Sequence, residues 1–423
     1  MAGNPGPVIF DNLMTQVVNA RFALAAVTVS EGAGSVTLNV TRSGLTNLSG
    51  TMEYSTLDGT ATQRTRYVAA SGVLNFAAGE TSKSLTILLL DNALVDGSQD
   101  FNVFLGPGSG MGVNGPGRVI VTITDNDVPP ITTNPLETPS FFVTQQYFDF
   151  LSRAPDADGL TFWVGQIVNP CGGNAACIAQ RRVAVSNAFF FELEFQQTGS
   201  YVYRLYRAAY GNTQPFPNTM GDMDANPYCT ANPANCQLIR AAHMPSYAKF
   251  INDRARLDAG PGQLAPTQLA LANTFAQRSE FRQRYPVTQT AGQFVDALIS
   301  NIQAADGANL TSQRDALITL HGAGGRGAVL FRLAEDNMAG NPINNRPFID
   351  AEYNRSFVTT QYYGYLRRDA DLPGLNFWLS VVNQFPLRSA TGQNGMVCAF
   401  ITSAEYQTRF SAIVTRTNAE CGP

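Results

Sequence analysis

The chain has 423 residues, too many for a single hydrophobic core, with an ordinary apolar share of 44% and an unusually small charged share of 14%. Acidic residues exceed basic ones by 32 to 28, a net charge of -4, so there is no basic field to attract nucleic acid. The apolar share excludes wholesale disorder, and no apolar run reaches the ~20 residues that a membrane helix needs.

Residues 1–22 read as an N-terminal arm. Met1–Pro7 lacks a basic stretch followed by an apolar one, so no leader is visible, and it is the six cysteines that carry the expectation of a mature exported chain whose leader has been removed. Val8, Ile9 and Phe10 offer apolar side chains with no local partner. Such an arm either packs on its own domain or adds a strand to the sheet of a second copy, linking subunits head to tail.

Residues 23–128 alternate apolar and polar positions in seven short runs: Val27–Ser30, Val36–Thr41, Thr51–Thr56, Gly72–Phe76, Ser84–Leu90, Phe101–Leu105 and Val119–Thr124. Gly-, Asp- and Asn-rich turns separate them, which predicts an antiparallel sandwich. Residues 1–130 hold ten acids and six bases, and the remainder holds 22 of each, so the excess acidity belongs to the sandwich. If consecutive strands run antiparallel, Glu31, Asp58, Asp91, Asp96, Asp125 and Asp127 gather at one end of it. Six carboxylates there repel one another unless a cation sits among them, and calcium suits an all-oxygen set. The alternative is that these residues only end strands and build turns.

The stretches Val29-Ser30-Glu31-Gly32, Asp58-Gly59-Thr60-Ala61-Thr62, Phe76-Ala77-Ala78-Gly79-Glu80-Thr81, Asp91-Asn92-Ala93-Leu94-Val95-Asp96 and Val121–Asp127 together resemble a Calx-β domain. The resemblance implies a seven-stranded immunoglobulin-like sandwich whose calcium-binding members use carboxylates at the positions of Glu31, Asp58, Asp91, Asp96, Asp125 and Asp127. This sequence departs from that pattern at Asn92 and Gln99, where acids are usual, and at Arg66, where an Asp is common. Fewer anionic ligands and a nearby guanidinium weaken a calcium site.

After a linker at residues 129–140, rich in Pro and Thr, the pattern turns helical. Phe142–Trp163 and Phe357–Trp378 align at a constant offset of 215 with 12 of 22 positions identical. A second block recurs as Ala188–Gln196, Thr274–Arg282 and Ala399–Gln407. The region divides into a repeat at 141–200, a degenerate repeat at 201–291 and a further repeat at 292–423. Each unit reads as helix, Asp-Gly turn, helix, loop, helix, with Asp156 capping the second helix and Trp163 and Trp378 in the core. These blocks resemble a bacterial domain family of unknown function found in exported and surface-layer-like proteins, which implies an extracellular place and no chemistry.

Six cysteines stand in Gly-, Asn- and Pro-rich loops or near the C-terminus, with no CxxC pair, which favours disulfides over zinc. Sequence proximity favours Cys171–Cys177, Cys229–Cys236 and Cys398–Cys421 among the fifteen pairings that six cysteines allow. No HExxH, G-x-S-x-G or Walker A sequence occurs, and His243 and His321 read as structural. Gly322–Gly327 reads as a loop between helices. The sequence therefore predicts a multidomain chain with an N-terminal all-β immunoglobulin-like sandwich and a C-terminal all-α repeat region. The function expected is that of a non-enzymatic exported bacterial surface or matrix protein, structural or adhesive, with calcium as its one candidate cofactor. Its partners would be itself, as a homopolymer, or other surface proteins and glycans. The alternative is a cell-surface module that recognises a glycan or another ligand.

Overall fold

The computed structural model describes residues 18–212, 245–260, 262–336 and 340–421. Val8, Ile9, Phe10, Cys229, Cys236 and His243 lie outside them. Two β-sheets form the N-terminal part and helices form the rest, so the chain is multidomain.

The strands are β1 (Asn19–Phe22), β2 (Ala26–Ser30), β3 (Ser35–Ser43), β4 (Gly50–Asp58), β5 (Ser71–Phe76), β6 (Ser82–Leu88), β7 (Gln99–Leu105), β8 (Gly112–Val113) and β9 (Arg118–Thr124). One sheet has the order β6-β3-β1-β8 and the other β2-β9-β7-β4-β5. Period-two sequences put alternate side chains between the sheets: Val36, Leu38 and Val40 from β3 meet Phe101 and Val103 from β7 and Val119, Val121 and Ile123 from β9. Two features differ from the expected seven antiparallel strands. Asn19–Phe22, expected within the arm, is a strand that pairs antiparallel with β3 and parallel with β8, because Ala20 and Phe22 fill the same core. The second is that β2 pairs parallel with β9, which sets Glu31 beside the chain leaving β9.

The helical part repeats in geometry as well as in sequence. Helix α1 (Pro139–Gln146) runs into one π-helical turn, Tyr147–Leu151, which ends at Ser152 with φ 52°. Its counterpart, Arg346–Gln361, runs into the π turn Tyr362–Leu366 and ends at Arg367 with φ 48°. In both copies an Asp caps the next helix: Asp156 accepts from Gly159 N at 2.7 Å, and Asp371 from Gly374 N at 2.7 Å. Glycine is required there because an added Cβ would lie 2.4 Å and 2.3 Å from the hydroxyls of Tyr147 and Tyr362. Arg153 grips Glu194 through two bonds of 2.7 Å, and Arg368 grips Glu405 at 2.7 and 3.0 Å. The tyrosines stand edge-on to Phe189 and Phe400, at 5.0 and 4.9 Å. Tyr206 and Phe275 make a similar edge-on pair at 4.8 Å. Trp163 and Trp378 pack half-buried against the core. Gly322–Gly327 lies inside the helical span Arg314–Ala334, where two segments meet at a kink with Gly325 at φ 70°.

The sandwich is docked on the helices through the segments after β4 and β6. Arg367 donates to the carbonyls of Gln63 and Tyr67, and Asp149 holds both Arg367 and Arg409, at 2.9 and 3.0 Å, with all three side chains buried. Ala69 lies within a helical core cluster, and Val68 and Leu90 pack with Phe148. Ala93 N reaches Phe410 O at 2.7 Å. The expected linker is pinned too, since the buried Asn134 amide donates to the carbonyls of Gln407 (3.1 Å) and Ile413 (2.8 Å).

Candidate metal centre

Glu31, Asp91, Asp96, Asp125 and Asp127 meet at one end of the sandwich. Each follows a strand or sits in the loop beyond one, so the turns place them and the two core sheets hold those turns. One oxygen each from Glu31, Asp125 and Asp127 lies within 4.8 Å of the others. Asp91 is near enough to Glu31 and Asp127 to raise both carboxyls. Asp58 is not brought into this set: its Oδ1 accepts from the Tyr67 hydroxyl and from Gln63 N at 2.8 Å, which ties it to the segment that docks on the helices.

Charge at this end is partly cancelled from within. The guanidinium of Arg66 is fully buried, and its Nη1 lies 3.1 Å from Glu31 Oε2 and 2.8 Å from Asp96 Oδ1. Asn92 donates to Glu31 Oε2 at 2.8 Å, and the Gln99 side chain hydrogen-bonds Asp96. The three departures from the Calx-β pattern, Arg66, Asn92 and Gln99, all present donors to the remaining acids. The sequence marked these positions as weakening the site; only the structure shows each one compensating a carboxylate.

Titration follows this arrangement. Burial pushes the Glu31 carboxyl up to about 7, against the pull of Arg66 and Asn126 N and with the help of Asp91 and Asp127. Burial also raises Asp91 and Asp96, and raises Asp127 with a further push from Asp125. Asp125 moves the other way: burial opposes its charge, but the backbone N–H groups of Gly97, Asp127 and Asp96, at 2.8 Å each, hold it below the usual carboxylate range.

Two buried oxygens, Asp91 Oδ1 and Asp127 Oδ2, have no hydrogen-bond partner. Acceptor-only oxygens left bare in a crowd of carboxylates fit a hard cation better than a protein donor. The residues therefore fit one divalent ion held by Glu31, Asp125 and Asp127, with the Asp91 carboxylate close by. On the Asp96 side, Arg66 already supplies the positive charge.

Residues 14–127 match the Calx-beta domain family. Among solved structures, the chain is similar to the apo-form Calx CBD1 domain, at 28% identity, covering 26% of this chain and 99% of that one, with a TM-score of 0.26. It is also similar to the calcium binding domain CBD12 of CALX1.1, at 29% identity, covering 26% of this chain and 46% of that one, with a TM-score of 0.25. The Calx CBD2 domain matches at 18% identity over 25% of this chain and 86% of that one, with a TM-score of 0.24. No curated protein matches the chain.

Among the described residues, two of the expected disulfides are formed, Cys171–Cys177 and Cys398–Cys421. No described helix is long and apolar enough to cross a membrane. His321 packs 5.6 Å from the Phe294 ring.

Proposed function

We propose that the chain is a non-enzymatic, exported surface or matrix protein whose Calx-beta sandwich takes one calcium ion and is carried on a helical repeat scaffold. The observation that supports the ion is the convergence of Glu31, Asp125 and Asp127 beside the bare oxygens of Asp91 and Asp127. With Arg66, Asn92 and Gln99 compensating the other acids, affinity belongs in the range of extracellular modules, about 10⁻⁴–10⁻³ M. The exported location rests on the two disulfides. The structural or adhesive role rests on the helical repeats, whose shared Tyr, Arg, Glu, Asp and Gly residues are all used in packing and capping. Calorimetric titration of the full chain with calcium tests the ion: one site is expected, lost in Asp127→Ala. No heat up to millimolar calcium would sink this reading. Electron microscopy of the same sample, with calcium and with chelator, tests self-assembly through the N-terminal arm and the sandwich edge.

A second reading, a surface module that recognises a glycan or another ligand, draws on Phe162 and Phe377. These occupy the same repeat position, are 55% and 58% exposed, and each lies edge-on to its neighbouring tryptophan at 5.0 Å. Glycan-array binding that disappears in Phe162→Ser and Phe377→Ser would favour it.

A further inference from the structure

A cleft of about 900 Å³ opens between the sandwich and the helices. Tyr54 of β4 and Ser71, Val73 and Asn75 of β5 form one wall, and Leu151, Arg153, Arg254, Leu257 and Leu271 form the other. Its volume is within the range that holds drug- or sugar-sized ligands, and the junction of two domains is a usual place for such sites. Both walls are fixed to each other: Ser71 Oγ donates to Asn252 O at 2.7 Å, and Arg256 faces Glu53 at 3.5 Å.

Arg254 is the unusual member. It lines the cleft, yet it is only 3% exposed. Its Nη2 donates to the Leu151 carbonyl, its Nε has no partner, and no carboxylate comes within ion-pair distance among the described residues. The nearby charges are already engaged. Arg153 is committed to Glu194, the adjacent Asp253 to Arg278 at 2.5 Å, and Asp258 accepts from Gly260 N at 2.8 Å. Burial lowers the Arg254 guanidinium to about 10, with Arg153 adding to the fall and Glu194, itself committed to Arg153, opposing it, so the cation is largely stripped of water with no anion in direct contact. A guanidinium is a flat fork that matches a carboxylate. On the facing wall, the Tyr54 ring lies over Gly72, where an added Cβ would come within 2.9 Å, and so offers a flat ring surface.

We propose that this cleft binds a small organic carboxylate of about the size of a sugar acid, with Arg254 taking the carboxylate and Tyr54 flanking the body. The site is separate from the calcium centre and does not depend on it.

The test is calorimetry of the full chain with glucuronate, N-acetylneuraminate and benzoate as probes, and with glucose and sodium sulfate as neutral and inorganic controls. One of the three carboxylates should bind one to one, with neither control matching it. Arg254→Lys, which keeps the charge but loses the fork, should weaken binding about tenfold. Val73→Trp, at a position 44% exposed on the cleft wall, should block the site while leaving Arg254 in place. It carries the test if Arg254→Lys does not fold by circular dichroism. Failure of all three carboxylates up to millimolar overturns the proposal. So does equal binding by wild type and Val73→Trp, or sulfate binding as tightly as the best carboxylate.

Discussion

Phe150 and Tyr365 occupy the same position of the two clear repeat copies, 215 residues apart, and their rings meet edge to face at 5.0 Å. The copies therefore pack on each other through equivalent residues at the ends of their π turns, and Gly364 leaves room for the Phe150 ring where a Cβ would stand 2.8 Å away. The Tyr365 hydroxyl is spent on Ser186, at 2.5 Å, and on Gln146 at 3.3 Å. Phe150→Ala should destabilise by about 3–5 kcal/mol through a cavity at this seam. Tyr365→Phe should cost about 1–3 kcal/mol because buried Ser186 and Gln146 lose a partner. Denaturant unfolding followed by tryptophan fluorescence checks both, since Trp163 and Trp378 lie half-buried against the same core.

Arg66 links stability to calcium. Without the ion, it is the cation that offsets buried Glu31 and exposed Asp96. Arg66→Gln should then cost about 3–5 kcal/mol in chelator, the penalty for leaving a buried charge unpaired. The same change removes a positive charge beside the carboxylates, so calcium should bind the variant more tightly than wild type and recover part of the loss. Thermal unfolding in chelator and in millimolar calcium reads both effects. A variant whose Tm is lowered equally under the two conditions would separate Arg66 from the ion site.

The strands were legible because period-two burial is written in runs such as Val36–Thr41 and Val119–Thr124. β1 was not: four residues beside an unpatterned arm carry too short a signal, and its pairing with β3 comes from residues about twenty positions on. The gathering of Glu31, Asp91, Asp125 and Asp127 followed from strand alternation and motif resemblance. Asp58 shares that end in topology, but its carboxylate turns to Tyr67, a choice made by a side chain that sequence spacing does not encode. Arg254 was invisible for a similar reason. Its setting is made jointly by the sandwich and the helices, and nothing in the residues around it marks a cleft.

Acidity should stabilise the fold between about pH 4 and 7. Burial, with the Glu352 carboxylate beside it, pushes the Asp306 carboxyl from 3.8 up to about 7, against the pull of Arg207. Glu31 is also raised to about 7. The folded chain thus holds protons that the unfolded chain has released, and stability falls as pH rises through this window, the loss being complete above about 7. Asp306→Asn, a neutral mimic of the protonated group, should flatten its share of the slope and raise stability at pH 8. Chemical unfolding in chelator at pH 5, 6, 7 and 8 measures the slope, and an unchanged slope in the variant would remove Asp306 as its source.

The Cys398–Cys421 bond closes the longer loop, with a sequence separation of 23 against 6 for Cys171–Cys177. In the chain-entropy picture these separations are worth about 3 and about 2 kcal/mol. The longer tie also has structural consequences for the interface. It anchors the segment in which Arg416 binds Glu137 at 2.6 Å and Ile413 accepts from Asn134, the contacts that dock the linker after the sandwich. Cys398→Ala with Cys421→Ala should therefore lower Tm more than Cys171→Ala with Cys177→Ala. It should also speed amide exchange at Leu136 and Glu137, whereas the shorter pair leaves the linker protected. Equal linker exchange in the two double variants would mean that the C-terminal segment holds its place without the bond.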